Sequence, residues 1–221
     1  MKKIINKEKE CLSIGIIGAS ATGKKTLMEA IIKYANNYLV KELDDYKSFE
    51  TERKCFALFD IKENGIDALV NKLVLMDGAL LVVDFQDKFW THIREYLLLL
   101  KQVGVEKLII YINKCDLIDD KKLLGDLEVQ LAYLLCEYGY DDSPIIRGSA
   151  KDALDSKLSE VDILHNLVNI MDSYFEQIRE DKLPFLLPDE IVNTSYNNIK
   201  QGEITLSRQR FNFKRKRKHR K

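Results

Sequence analysis

A short isoleucine-rich run over residues 11–17 empties into a glycine-bearing turn, and a helical pattern begins directly after it. The turn reads Gly18-Ala19-Ser20-Ala21-Thr22-Gly23-Lys24-Lys25-Thr26. A continuous apolar run of that length reads as a strand buried on both faces. Glycines let backbone N–H groups wrap an anion, a helix N-terminus adds a positive dipole, and Lys24 reaches oxygens of the same anion. The spacing nearly fits the phosphate-loop pattern GxxxxGK[ST], so positions 18–26 are the expected phosphate-binding residues. The pattern asks for a hydroxyl after its lysine, and here Lys25 stands there. Thr26 carries a hydroxyl one position late, about 100° further around a helix.

The same alternation continues down the chain. Helical spacing covers 24–40, with Leu27, Ile31, Tyr34 and Tyr38 on one stripe, and returns at 66–76, 89–102, 121–138 and 160–178. Residues 46–51 and 54–59 read as a hairpin, and 79–84, 108–112 and 144–147 as strands. Strands alternating with helices predict an α/β fold, a mainly parallel sheet with helices on both faces. At 221 residues, 46% apolar and 32% charged, the chain suits one globular domain and not a disordered protein. No apolar run reaches the roughly 18–20 residues of a membrane span. The N-terminus lacks a small-residue cleavage site, so no signal peptide is expected. Cys11, Cys55, Cys115 and Cys136 form no CxxC pair and no metal-ligand spacing. They are expected to be small unpaired core residues in a reducing, cytoplasmic setting.

Two further strand ends carry chemistry, and ligands of open α/β sheets sit at such ends. Asn113-Lys114-Cys115-Asp116 follows the strand at 108–112. The Asp116 carboxylate can accept both N1–H and N2–H of guanine, and adenine would leave it unpaired. Asn113 can tie this loop to the phosphate loop, and the Lys114 stem can lie over a purine face. Gly148-Ser149-Ala150-Lys151 follows the strand at 144–147, and backbone N–H groups there, chiefly at Ser149, Ala150 and Lys151, can meet guanine O6. Asp84, at another strand end, is either a ligand contact or a helix cap. His92 and His165 have no partner pattern.

The stretches MDGALLVV (76–83), IREYLLLLKQVGVEKLIIYINKCDLIDD (93–120), PIIRGSA (144–150) and LPFLLP (183–188) resemble the GTP-binding domain of bacterial elongation factor Tu. The resemblance covers about residues 11–188 and implies a phosphate-loop NTPase, the G-domain of the translational GTPases, with GTP or GDP as ligand. It divides the chain into a G-domain at 1–182, a remnant linker to a second domain at 183–207, and a tail at 208–221. The departures imply as much as the match. Where the family has GHVDHGKTT, this chain has GASATGKKT, so Lys25 falls on a magnesium-ligating Thr and Ala21 on an acidic residue. The few residues around 41–45 leave no room for the family's long effector loop. Its DCPGH, which senses the γ-phosphate and positions the attacking water, falls on Leu58, Phe59, Asp60, Ile61 and Lys62; placing Asp60 first puts Glu63 where the Gly belongs.

Phosphoryl transfer depends on positioned metal, positioned water and charge neutralisation. The resemblance with these losses implies a truncated, degenerate pseudo-GTPase with no assigned catalytic or metal-ligating residue. Lys25 would put an ammonium close to the usual magnesium position, allowing metal-independent binding. Carriage of aminoacyl-tRNA is not expected without the barrel domains. The chain has 35 Lys/Arg and 35 Asp/Glu, but nine of the basic residues and none of the acidic ones lie in 208–221. Lys214, Arg215, Lys216, Arg217, Lys218, Arg220 and Lys221 form a stretch suited to RNA through counterion release, with Phe211 and Phe213 able to stack on bases. Three functions stay open: a guanine-nucleotide module acting through translation-related RNA or protein, ribosome included; a slow GTPase completed in trans by a partner; and a nucleotide-free mimic of the elongation factor.

Overall fold

A computed structural model describes residues 10–35, 41–42, 46–61, 66–84, 90–118 and 120–175, which fall within one compact unit, Met1–Phe185. The linker at 183–207, the basic residues 214–221, Phe211 and Phe213, and positions 62 and 63 lie outside the described residues. The elements in order are β1 (Glu10–Ile17), α1 (Lys24–Tyr34), β2 (Lys41–Glu42), β3 (Tyr46–Glu50), β4 (Lys54–Asp60), α2 (Ile66–Leu73), β5 (Gly78–Asp84), α3 (Trp90–Val103), β6 (Leu108–Asn113), α4 (Lys121–Glu137), β7 (Ile145–Arg147), α5 (Ala150–Leu154) and α6 (Leu158–Tyr174). They build one seven-stranded sheet in the order β2-β3-β4-β1-β5-β6-β7. The β2–β3 and β3–β4 pairs are antiparallel, and every other pair is parallel.

The central strands read as continuous apolar runs because both their faces are covered. Leu12, Ile14 and Ile16 of β1, Leu80 and Val82 of β5, and Ile109 and Tyr111 of β6 pack beneath α1, α5 and α6. The alternate positions, among them Ile17, Leu81, Val83, Ile110 and Ile112, pack with α2, α3 and α4 on the other face. Burying each such side chain stabilises the fold by about 1.5–3 kcal/mol. The parallel pairing brings the ends of β1, β4, β5 and β6 to one edge: Ile16 lies beside Asp60, Ile17 beside Leu81, and Asp84 beside Asn113.

The hairpin is fastened to the last turn of α6. Lys54 is buried, and its ammonium donates to the Asp172 carbonyl at 3.0 Å. Thr51 Oγ1 donates to Asp172 Oδ1 at 2.6 Å. A cation at a helix C-terminus meets the negative end of the dipole, which makes burial of this lysine tolerable.

Besides shifted ends of α2 and α6 and the added strand β2, the structure departs from the sequence reading in three places. First, α1 stops at Tyr34, with Ala35 as its C-cap, short of the expected residue 40. Second, α5 is an extra helix, started by Ser149, whose Oγ accepts from Asp152 N–H at 3.2 Å. Third, the cysteines are not four unpaired core residues. Cys11 is exposed and bonded to Cys55, its register partner on β4, and Cys136 is exposed on α4; only Cys115 is half-buried and unpaired. Leu12 and Phe56 take the core face at the next register pair, so the cysteines point to the opposite side.

Candidate functional site

The turn after β1 is held in shape by glycine geometry. Gly18 has φ +144° and Gly23 has φ +91°, conformations that L side chains rarely adopt. A Cβ on Gly18 would lie 2.3 Å from the Val82 carbonyl, and one on Gly23 would lie 2.2 Å from Asn113 Nδ2. Close approach of three chain segments therefore needs both glycines. Gly23 is also the N-cap of α1; it supplies no side-chain cap, and the first turn carries no acidic residue. The first turn itself thus supplies no anion to the positive end of that helix. Thr22 is buried and turns its hydroxyl back to the Ala19 carbonyl at 3.0 Å. Lys24 donates to the carbonyls of Gly18 and, at 2.7 Å, of Ala19, which fixes its ammonium inside the loop. Ser20, Ala21 and Lys25 are exposed, and Thr26 is half-buried.

Asn113 knits three loops together. At the end of β6 it is 3% exposed. Its Nδ2 donates to the Thr22 carbonyl at 2.8 Å, and its Oδ1 accepts from Ala150 N–H at 2.9 Å. One side chain thus spans the glycine turn, its own loop and the start of α5. An amide uses both ends here, and no other neutral side chain of that size supplies a donor and an acceptor so spaced.

The model of the elongation factor Tu GTP binding domain matches residues 62–178, just over half of the chain. The chain belongs to that family. Its members bind GTP, so this elongation factor Tu-type domain is a nucleotide binder of the translational GTPase kind. The match takes in the loops after β5, β6 and β7 and begins beyond the glycine turn.

In this elongation factor Tu-type domain the base-side loops are compact. Lys114 adopts a left-handed conformation, φ 60°, and its ammonium is paired with the Asp84 carboxylate. Asp84 steers the Lys114 stem through this ion pair. Asp116 lies in a short 3-10 turn, Cys115–Leu117, with its side chain exposed. Ser149 N–H donates to Glu160 Oε2 at 2.7 Å, and Ala150 N–H is taken by Asn113. Two of the donors expected to face guanine O6 thus already have acceptors within the chain. Lys151 is exposed. Beneath the loop, a Cβ on Gly148 would lie 2.4 Å from the Tyr111 hydroxyl, so the strand end needs glycine. That hydroxyl is buried without a hydrogen-bond partner among the described residues, and burial with the nearby Glu160 charge pushes its pKa far up. Burial also raises the Cys115 thiol, so its thiolate is disfavoured at neutral pH.

The end of β4 lies beside the end of β1 and its glycine turn. Leu58 and Ile61 are fully buried core residues at the end of β4. Asp60 stands beside Ile16, and its Oδ1 is buried with no hydrogen-bond partner among the described residues. Asp60 was not among the site residues drawn from sequence. Among the described residues no group of three or more His, Cys, Asp and Glu is placed to hold a metal ion.

Proposed function

We propose that this elongation factor Tu-type domain is a binding module that keeps GDP or GTP and hydrolyses it slowly or not at all. The observation that carries the reading is the Asn113 bridge from Thr22 to Ala150, which holds phosphate and base loops in one frame. In this reading the α1 N-terminus and Lys24 receive the phosphates, with Gly18 to Thr26 forming the cradle. Asp116 accepts from the guanine edge, and Lys114 lies along the base, oriented by Asp84. Lys25 supplies a second cation near the phosphates and lessens the need for magnesium. Lost hydrolysis follows from the side chains at the end of β4, where Leu58, Phe59 and Ile61 have no group able to orient water. The basic residues 214–221 extend the reading to RNA of the translation machinery as a partner.

Thermal unfolding with GDP, GTP or ADP, each with magnesium or EDTA, tests it. A ligand at 100 times its Kd stabilises the native state by about 2.7 kcal/mol, or about 5–10 °C in a domain of this size. The expected result is that shift with guanine nucleotides alone, persisting in EDTA. No shift with any nucleotide would leave the nucleotide-free interaction module. Lys25→Ser is expected to make the shift depend on magnesium; identical EDTA behaviour in both proteins removes the role given to Lys25. The unpartnered Asp60 oxygen favours one second reading, a slow GTPase completed by a partner. Its mark is turnover that rises with a candidate partner and falls in Asp60→Asn.

A further inference from the structure

We infer that Cys11 and Cys55 form a reversible redox latch, closed by a low-molecular-weight disulfide and opened by the corresponding thiol, at the end of the sheet away from the nucleotide loops. The pair is built by register. Parallel β1 and β4 put Cys11 opposite Cys55 with a Cα separation of 4.3 Å, and a closed chain of sequence separation 44 runs between them. Flanking pairs, Glu10 with Lys54 and Leu12 with Phe56, hold the two strands in that alignment. The neighbouring Lys54 and Thr51 anchor the start of β4 to Asp172 of α6, so the cysteines meet without rearrangement of the fold.

Access distinguishes this pair from a sealed structural bridge. Cys11 is exposed and Cys55 is half-buried, so an incoming thiolate reaches the Cys11 sulfur and expels the Cys55 thiolate. A second thiol then attacks the adduct sulfur, releasing the external disulfide and the Cys11 thiol. Two external thiols are oxidised for one protein disulfide reduced, and closure runs the same steps backwards with glutathione disulfide as oxidant. The other two cysteines are no part of it: Cys115 sits beneath Gly148 with its thiol turned to the Ile112 carbonyl, and Cys136 lies on α4.

The latch encloses the phosphate loop, α1 and β3, which all lie between residues 11 and 55. Cross-linking limits the unfolded freedom of the segment it closes. Closure is therefore expected to suppress opening of the phosphate half of the sheet while touching no nucleotide-binding atom; seven residues of strand, roughly 23 Å, separate Cys11 from Gly18.

The full chain, equilibrated in mixtures of reduced and oxidised glutathione, is alkylated and mapped by mass spectrometry. The expected result is joint protection of Cys11 and Cys55 in oxidising mixtures and joint labelling in reducing ones, with Cys11 labelled faster. The oxidised chain is expected to unfold roughly 8–16 °C higher than the reduced chain. That difference should vanish in Cys11→Ser, a change at an exposed position, and in Cys11→Ser/Cys55→Ser. Labelling of both cysteines after oxidation, a stable glutathione adduct on Cys11 with Cys55 still free, or a redox-dependent shift that persists in Cys11→Ser would each overturn the latch.

Discussion

Residues 10–61 and residues 78–174 deliver their loops to the same edge of one sheet, yet the two regions differ in what they retain. The second region lies within the family match and carries its strand-end loops with dense internal bonding: Lys114 to Asp84, Ser149 to Glu160, Ala150 to Asn113. The first lies before the match and keeps the glycine turn and Lys24, but has Lys25 where the family resemblance implies a hydroxyl and Ile61 where it implies the γ-phosphate-sensing glycine. Base recognition needs only a fixed rim of donors and acceptors, which packing can maintain. Hydrolysis needs several groups aimed at one transferring atom, and loss of any of them removes much of the rate. A domain can therefore keep the first function while losing the second.

Asn113 joins the two regions, so its removal is the strongest way to break the comparison. Asn113→Ala leaves the Thr22 carbonyl and Ala150 N–H without their partners in a buried setting, each costing about 1–3 kcal/mol. Denaturant unfolding should register a loss of about 2–5 kcal/mol, and the guanine response should disappear. If stability falls but guanine binding persists, the two regions bind independently.

Asp116→Ala sharpens the comparison from the other side. The residue is exposed, so stability should hardly change. Two charge-assisted bonds to guanine, each about 1.5–3 kcal/mol, should be lost, weakening GDP by at least about 100-fold. An unchanged Kd would place recognition elsewhere than the base-side rim.

Alkaline pH probes the base-side region alone. Tyr140 is buried, its hydroxyl donates to the Val105 carbonyl at 2.6 Å, and burial pushes its pKa up to about 12. The fold favours the neutral phenol, so this contribution is complete below the unfolded pKa of about 10 and disappears as pH rises towards 12. Across that window the parent should lose about 2–3 kcal/mol more stability than Tyr140→Phe. The smallest effect is expected at Lys107, which pairs with Asp142 at 2.9 Å on the surface and holds that carboxyl below its ordinary pKa. Lys107→Ala should cost under about 1 kcal/mol, and the cost should fall in high salt.

Much of this was legible beforehand. Continuous apolar runs at 11–17, 79–84 and 108–112 read as strands covered on both faces, and the structure has them so. The link from Asn113 to the phosphate loop was also readable, because an amide at the end of β6 can reach the neighbouring turn. The short helix α5 was hidden, since five residues are too few to show a periodic stripe. Its one signal was Ser149 followed three residues later by Asp152. The Lys54–Asp172 anchor and the Asp84–Lys114 pair join residues far apart in the chain, and no local spacing announces them.

The sequence by itself determined the central strands and the longer helices, and the glycine positions that permit left-handed backbone. Those depend on periodicity and on local backbone sterics, which neighbours in the chain decide. Only the tertiary structure decided that Cys11 meets Cys55, that Ser149 and Ala150 spend their N–H groups within the chain, and that one oxygen of Asp60 is buried with no partner among the described residues. Each of these follows from strand register and loop closure across the sheet, where a shift of one residue would turn the same side chain to the opposite face.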